Sequence, residues 1–241
     1  MIQNPMDTTD TPQPAAAPRA FMLSFDDGPM PGKTDAVLDA LSRFRGEDGE
    51  PLRAGFFMVG DAPERFLAGR RYFAPYEVWW RKGSMRRHPE LVARALAEGH
   101  VIGNHTTHHI WAHWPAFRQL SAAREEIHSW EAHAEAAGWN PASNPRLFRA
   151  PYLLHTPIMT AAASELGYRI VGGETVGDAT PGYGLRAIER QIRRILRAPG
   201  EEPALLVFHD IRPVTARHLG TILERLQHEG HALRHFAPSA A

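Results

Sequence analysis

Short unbroken apolar runs alternate along this chain with stretches whose apolar residues recur at helical spacing. The first run, Ala20 to Phe25, leads into a segment where Thr34 reads as a helix cap and Val37, Leu38, Leu41 and Phe44 share a face. The second run is Ala54 to Val59. A helix from Pro89 to Glu98 follows, stopped by Gly99. His100 to Gly103 is the third run. Ser121 to Ala137 is the clearest helix, with Ile127, Trp130, Ala134 and Ala137 in phase and Gly138 at its end. Leu147–Phe148, Tyr168 to Val171, Ala204 to Phe208 and Ala232 to Phe236 complete seven predicted strands. Thr156-Pro157 opens another helix, which stops near Gly167. Leu185, Ile188, Ile192 and Ile195 mark the next, and Pro213 to Glu229 the last, with Leu219, Leu223 and Leu226 inward. Arg186, Arg190, Arg193, Arg194 and Arg197 then form a solvated face.

Strands alternating with helices predict a parallel sheet and an α/β fold. Strands that are apolar throughout fit a sheet covered on both faces. This pattern suits a barrel and an open doubly wound sheet equally. The predicted organisation is a polar, Pro-rich lead-in over 1–19 and one domain over 20–241, with an irregular excursion at 61–87.

Composition then narrows the chemistry. Among 241 residues there is no cysteine, which excludes disulfide scaffolds, thiolate metal sites and cysteine nucleophiles. Lys plus Arg and Asp plus Glu both number 27, so no overall basic field supports nucleic-acid binding. No run of 18 apolar residues offers a membrane span. The lead-in lacks the basic start and apolar run of a signal peptide, which points to the cytoplasm unless an export signal has been removed. The 14 histidines are many, and any metal must be held by nitrogen and oxygen.

Position is the informative fact about the polar residues. Asp26 and Asp27 follow the first strand, His105 and His109 the third, Arg149 the fourth and His209-Asp210 the sixth, while Asp178 lies beyond the fifth. In parallel α/β folds the carboxyl ends of the strands meet on one face, and active sites are built there. Asp26-Asp27-Gly28-Pro29 also reads as a plain polar turn. Two adjacent carboxylates nevertheless raise each other's pKa unless a cation intervenes, and a metal resolves that conflict. His105 and His109, at i and i+4, would share a helical face and hold one ion through two rings, although His108 at i+3 offers a competing spacing. Two imidazoles and a carboxylate suit catalytic zinc with an open position, and equally non-haem iron. Arg149 can hold the free carboxylate in place. A neighbouring acid, Asp178 or Asp210, would let His209 serve as a general acid.

At these residues the chain resembles the polysaccharide deacetylase family, the NodB-homology domain of carbohydrate esterase family four. The family's T-F-D-D-G-P motif stands as Ser24 to Pro29, its H-S/T-x-x-H motif as His105 to His109, its R-x-P-Y motif as Arg149 to Tyr152, and its apolar run closing in His as Leu206 to His209. The resemblance covers roughly Phe21 to the C-terminus. It implies a distorted (β/α)7 barrel and a divalent metal, commonly zinc, with iron, cobalt, nickel or manganese as substitutes. Carried over by position, Asp27, His105 and His109 are the metal ligands, Asp26 the general base, Arg149 its positioning partner and His209 the general acid. Tyr152 N–H, beside Pro151, would help hold an oxyanion.

Two departures bear on the substrate. The fourth motif usually carries an Asp-Trp pair; the region here, Gly172 to Ala179, has no Trp, and Asp178 is the candidate counterpart Asp, offset by about a residue. Leu153 stands where the third motif usually carries Gly. The 61–87 excursion, with Trp79 and Trp80, is either a self-packed loop or a lid offering aromatic faces, and Trp111 would line the same mouth. The function implied is metal-dependent removal of an N-acyl group from an amino sugar. The alternatives are hydrolysis of a small non-sugar amide, imide or ureide on the same barrel, and an inactive glycan-binding module.

Overall fold

The computed structural model describes residues 18–61, 83–109, 119–200 and 202–237. Trp79, Trp80, Trp111, most of the 61–87 excursion and nearly all of the lead-in lie outside them.

The strands are β1 (Ala20–Asp26), β2 (Gly55–Met58), β3 (Val101–Asn104), β4 (Leu147–Phe148), β5 (Arg169–Ile170), β6 (Glu174–Thr175), β7 (Ala204–His209) and β8 (Ala232–Leu233). The helices are α1 (Thr34–Leu41), α2 (Pro89–Ala97), α3 (Leu120–Ala136), α4 (Pro157–Glu165), α5 (Leu185–Arg197) and α6 (Pro213–His228). The eight strands among the described residues join one sheet in the order β5-β4-β3-β2-β1-β7-β6, with β8 beside the start of β1. Every strand pairing in it is parallel. The sheet is the curled, distorted (β/α)7 barrel type, with β5 and β6 at the ends of the hydrogen-bonded path.

Alternation along the strands sorts side chains to two faces. Phe21, Leu23 and Phe25 of β1, Phe56 and Met58 of β2, and Leu206 and Phe208 of β7 join the main core under the helices. Phe25 stacks on Phe56 with ring centroids 5.0 Å apart. Met22, Phe57, Leu147, Val171, Leu205 and Phe236 form a smaller cluster inside the curl. The polar residues Ser24, Asp26 and His209 alternate onto that inner face, so the concave side becomes polar only at the strands' carboxyl ends.

The helices end as the sequence indicates. Gly99, Gly138, Gly167 and Gly230 all take positive φ just past a helix, the left-handed conformation that glycine adopts without steric cost. Thr156 caps α4 by accepting a hydrogen bond from Met159 N–H. Thr34 does not cap. It is the first helical residue of α1, and its hydroxyl is turned to other partners. A further difference is β6. Its two residues are exposed and polar, so no apolar run announces it.

One close approach ties this packing to the inner face. A Cβ at Gly103 of β3 would lie 2.6 Å from the Phe57 ring. The Arg149 guanidinium lies over the same ring, 4.0 Å from its centroid. Gly103→Ala is therefore expected to cost about 1–3 kcal/mol of overpacking and to lower the melting temperature by several degrees. A thermal melt with no change would show that Phe57 has room to move.

Candidate active site and metal centre

Register does the first part of the assembly. Asp26 closes β1 and lies directly opposite Phe57 of β2 and His209 of β7. A carboxylate and an imidazole more than 180 residues apart in sequence thus share one rung of the sheet. Both are set on rigid strand ends rather than on free loops.

Arg149, the residue just past β4, reaches Asp26 with its side chain. It is wholly buried, and Nη1 donates to Asp26 Oδ1 at 2.6 Å and to Ser24 Oγ at 2.9 Å. Its Nε donates to Val171 O (3.2 Å) and Nη2 to Gly172 O (2.6 Å), between β5 and β6. One guanidinium therefore binds the carboxylate and also ties together the two ends of the curled sheet. A buried ion pair is worth having only when its remaining hydrogen-bonding capacity is used in this way.

Asp27 turns elsewhere. Its φ of 78° lifts it out of strand geometry and swings its carboxylate away from Arg149's partner. Its Oδ1 lies 2.9 Å from His109 Nε2 and 3.3 Å from His105 Nε2. The pair is not helical, contrary to the spacing argument. Residues 105–109 form a loop in which Thr106 and His109 have positive φ, and that path brings the two rings to centroids 5.1 Å apart. Among the described residues the non-glycine positive φ values fall at Asp27, Thr106, His109, Tyr152 and Leu153, all at this site. Such conformations cost about 1–3 kcal/mol each and persist only where surrounding contacts enforce them.

Those contacts are visible. Asn104 caps the turn, with Oδ1 accepting from Thr106 N–H while Nδ2 donates to Ile127 O of α3. Glu126 of α3 accepts from His108 N–H and faces His108 Nδ1 at 2.9 Å. His108, the competing ligand by spacing, is thereby held away from Asp27. The sequence reading missed Glu126, although a signal existed: it lies four residues before Trp130, on a stripe that is otherwise apolar.

The three residues fit a divalent ion. One donor atom from each of Asp27, His105 and His109 lies within 4.8 Å of the other two, and all three residues are buried. His105 Nδ1 faces Arg149 O at 2.8 Å, so this nitrogen donates and Nε2 is the atom turned toward Asp27. Asp27 Oδ2 is buried with no hydrogen-bond partner among the described residues. Burial pushes the Asp27 pKa up, but the charge of His109 and hydrogen bonds from both histidines hold it well below the usual carboxylate range.

His209 is held by Asp178. Its Nδ1 lies 2.8 Å from Asp178 Oδ1, and its backbone N–H donates to Asp178 Oδ2 at 2.7 Å. Thr215 of α6 donates to the same oxygen at 2.6 Å. Burial lowers the His209 pKa, but the Asp178 charge and hydrogen bond outweigh it and raise the value to about 9. Nε2 points toward the Asp27–His105–His109 cluster, 4.0 Å from Asp27 Oδ2.

Asp210 does not serve His209. Its side chain is buried beneath the first-motif turn, where Thr34 Oγ1 donates to Oδ2 at 2.6 Å and itself accepts from Met30 N–H at 2.8 Å. Burial raises the Asp210 pKa to about 7, opposed by the Thr34 hydrogen bond. A Cβ at Gly28 would sit 2.1 Å from Asp210 Oδ2, which leaves no room for a side chain there.

A cleft of about 870 Å³ opens over these groups. Asp26, Asp27, His105, His109, Tyr152, Leu153, Asp178 and His209 line it, together with Thr175, Val207 and the 179–182 loop. Tyr152 sits edge-on to His109 with centroids 5.0 Å apart. Pro151 is buried at the start of the 3₁₀ turn that carries Tyr152, so it supports this wall from below.

The sequence profile described as polysaccharide deacetylase matches residues 14–171, more than half of the chain. The chain belongs to the polysaccharide deacetylase family. It is a hydrolase of carbon–nitrogen bonds other than peptide bonds. A chitooligosaccharide deacetylase from a Bradyrhizobium strain is 30% identical over 201 residues, which cover 81% of this chain and 72% of that protein. A peptidoglycan N-acetylglucosamine deacetylase from Listeria monocytogenes is 26% identical over 88% of this chain but only 37% of its own length. The family-four carbohydrate esterase of Streptomyces lividans, solved with acetate, shares the fold. Its TM-score is 0.63 at 22% identity, over 93% of this chain and all of that one. A family-four pseudoenzyme from Bacillus anthracis superposes equally well, with a TM-score of 0.64 over 92% of this chain and 65% of that one, at 15% identity. Fold likeness alone therefore does not distinguish active members from inactive ones. Among the described residues, no helix is long and apolar enough to cross a membrane.

Gly28→Ala is expected to destabilise the protein by about 1–3 kcal/mol through collision with Asp210. Adding Asp210→Ala to it should recover part of that loss. Chemical denaturation of the two variants reads both effects; additive losses would mean that the two positions do not press on each other.

Proposed function

We propose that this deacetylase hydrolyses the N-acetyl group of an N-acetylglucosamine unit in a chitooligosaccharide or peptidoglycan-type glycan. We assign Asp26 as general base, His209 as general acid, and Asp27, His105 and His109 as ligands of a divalent ion, with zinc the first choice for this donor set. The observation that carries this reading is the shared rung: Asp26 and His209 lie in register on adjacent strands, with the buried Asp27–His105–His109 cluster beside them.

When bound, the ion supplies Lewis-acid activation of the amide carbonyl and of the attacking water. Asp26 takes a proton from that water as its oxygen adds to the carbonyl carbon. Arg149 keeps the Asp26 carboxylate oriented through the 2.6 Å bond to Oδ1, leaving the other oxygen for the proton. Tyr152 N–H steadies the negative charge that develops on the carbonyl oxygen. His209 delivers its proton to the nitrogen as the carbon–nitrogen bond breaks, giving acetate and a free amine. Asp178 makes this feasible, because its charge keeps His209 protonated at neutral pH. Among the described residues, Thr175, Val207 and Ala179 line the wall near His209 and no tryptophan does, a feature that would also admit small amides. The complete acid, base and metal-ligand set argues against an inactive binding module.

Acetate release from N-acetylglucosamine oligomers is expected to fall by about 10²- to 10⁴-fold in Asp26→Asn and in His209→Ala, with metal content unchanged. Near-full activity in either would remove that residue from the pair. A panel in which only small linear or cyclic amides were cleaved would move the assignment to the alternative substrate class.

The pH profile tests the His209–Asp178 link. Activity should fall as pH rises through the His209 pKa, because a deprotonated imidazole has no proton to give. Asp178→Asn removes the principal charge that raises this pKa, so the alkaline limb should move to lower pH. A limb that does not move would detach Asp178 from the acid.

A further inference from the structure

One residue of the cleft wall carries backbone strain that the core does not explain. Leu153 has a φ of 56° and directly follows Tyr152, whose φ is 60°. The left-handed region crowds any residue with a Cβ, and glycine alone enters it without that cost. The turn itself imposes the conformation. Leu153 N–H donates to Ala150 O (3.0 Å), Leu154 N–H to Pro151 O (3.2 Å), His155 N–H to Leu153 O (3.1 Å) and Thr156 N–H to Leu154 O (2.8 Å). Glycine would meet the same backbone demand with less strain, so the leucine side chain needs its own reason to be there.

Packing does not supply that reason. Leu153 belongs to none of the three apolar clusters formed by the described residues. Leu154, the next residue, packs on the cluster that holds Ala123 and Ile127 of α3 and Met159 and Ala162 of α4. Leu153 instead lines the active-site cleft. A strained residue held at such a site by a rigid turn is an observation from which a role can be inferred.

The sheet order says which end of the substrate it would meet. In the path β5-β4-β3-β2-β1-β7-β6, the wall after β4 and the acid His209 on β7 flank the Asp26–Asp27 end of β1 from opposite sides. An amide lying across this centre has its nitrogen toward His209, which protonates it. Its acyl end then points to the opposite wall, where Tyr152 and Leu153 stand. We propose that Leu153 is a specificity-determining residue whose side chain contacts the alkyl part of the acyl group, so that the enzyme reads the carbon attached to the carbonyl. An apolar side chain gains by covering such a carbon and gives nothing to a bare formyl hydrogen. The proposal rests on the deacetylase reading and adds the acyl contact to it.

The test uses the N-formyl, N-acetyl and N-propionyl forms of one glucosamine oligomer, with zinc-loaded wild type, Leu153→Gly and Leu153→Ala. The expected result in both variants is a fall in kcat/KM of about three- to tenfold on the acetyl form, a larger fall on the propionyl form and less than about twofold change on the formyl form. Calorimetric affinity for acetohydroxamate and propionohydroxamate should weaken in the same order. Thermal melts separate contact from packing. Leu153→Gly, relieved of strain, should melt no lower than wild type and about 2–4 °C above Leu153→Ala, which keeps the strain. Equal losses on the formyl and acetyl forms, or faster cleavage of the propionyl form by Leu153→Gly, would overturn the contact. So would a Leu153→Gly that melts several degrees below wild type while its hydroxamate affinities stay unchanged. Should wild type bind the hydroxamates through Leu153 but release no acid from any oligomer, the contact would stand and the deacetylase reading would fall.

Discussion

Two carboxylates one peptide bond apart, both buried, are the constraint on which this molecule is organised. Asp26 and Asp27 would repel each other and draw protons if left to share one environment. A change of backbone direction at Asp27 separates them, and each then meets its own cation source. Asp26 faces the fixed charge of Arg149. Asp27 faces two imidazoles whose nitrogens complete a site for an ion. The same dipeptide can thus supply a base and a ligand without either neutralising the other.

The rest of the fold serves that division. Parallel strands in strict register place His209 opposite Asp26. Arg149 binds Asp26, holds the segment between β5 and β6 through Val171 and Gly172, and offers its carbonyl to His105. A residue with so many obligations cannot be exchanged for lysine, which lacks the planar fork. The helices contribute from outside: α3 fixes the histidine loop through Glu126, α6 satisfies Asp178 through Thr215, and α1 engages Asp210 through Thr34. Backbone strain is concentrated where these supports converge.

Much of this was legible in the sequence, for reasons that are local. Strand β1 announces itself by the largely apolar run Ala20 to Phe25, and α3 and α6 by apolar residues in helical phase. Most of the motif residues were readable because they sit at or just past the end of a strand. What was not legible is non-local. Strand β6 has two exposed polar residues and exists only because β7 pairs with it. Thr34 looked like a cap because the residue type fits one, yet its hydroxyl is claimed by Asp210, 176 residues away. The histidines looked helical because i and i+4 spacing is also what a tight loop with left-handed residues can bring together. Asp178 and Asp210 were equal candidates to orient His209 in the sequence, and only the path of the chain beyond β6 separates them.

The division of labour between the paired carboxylates is open to direct measurement. Wild type, Asp26→Asn and Asp27→Asn would each be equilibrated with limiting zinc, dialysed and analysed for metal per chain. The account expects a single ion retained by wild type and by Asp26→Asn, and loss of most of it in Asp27→Asn. Full retention by Asp27→Asn, or equal loss from both variants, would contradict it.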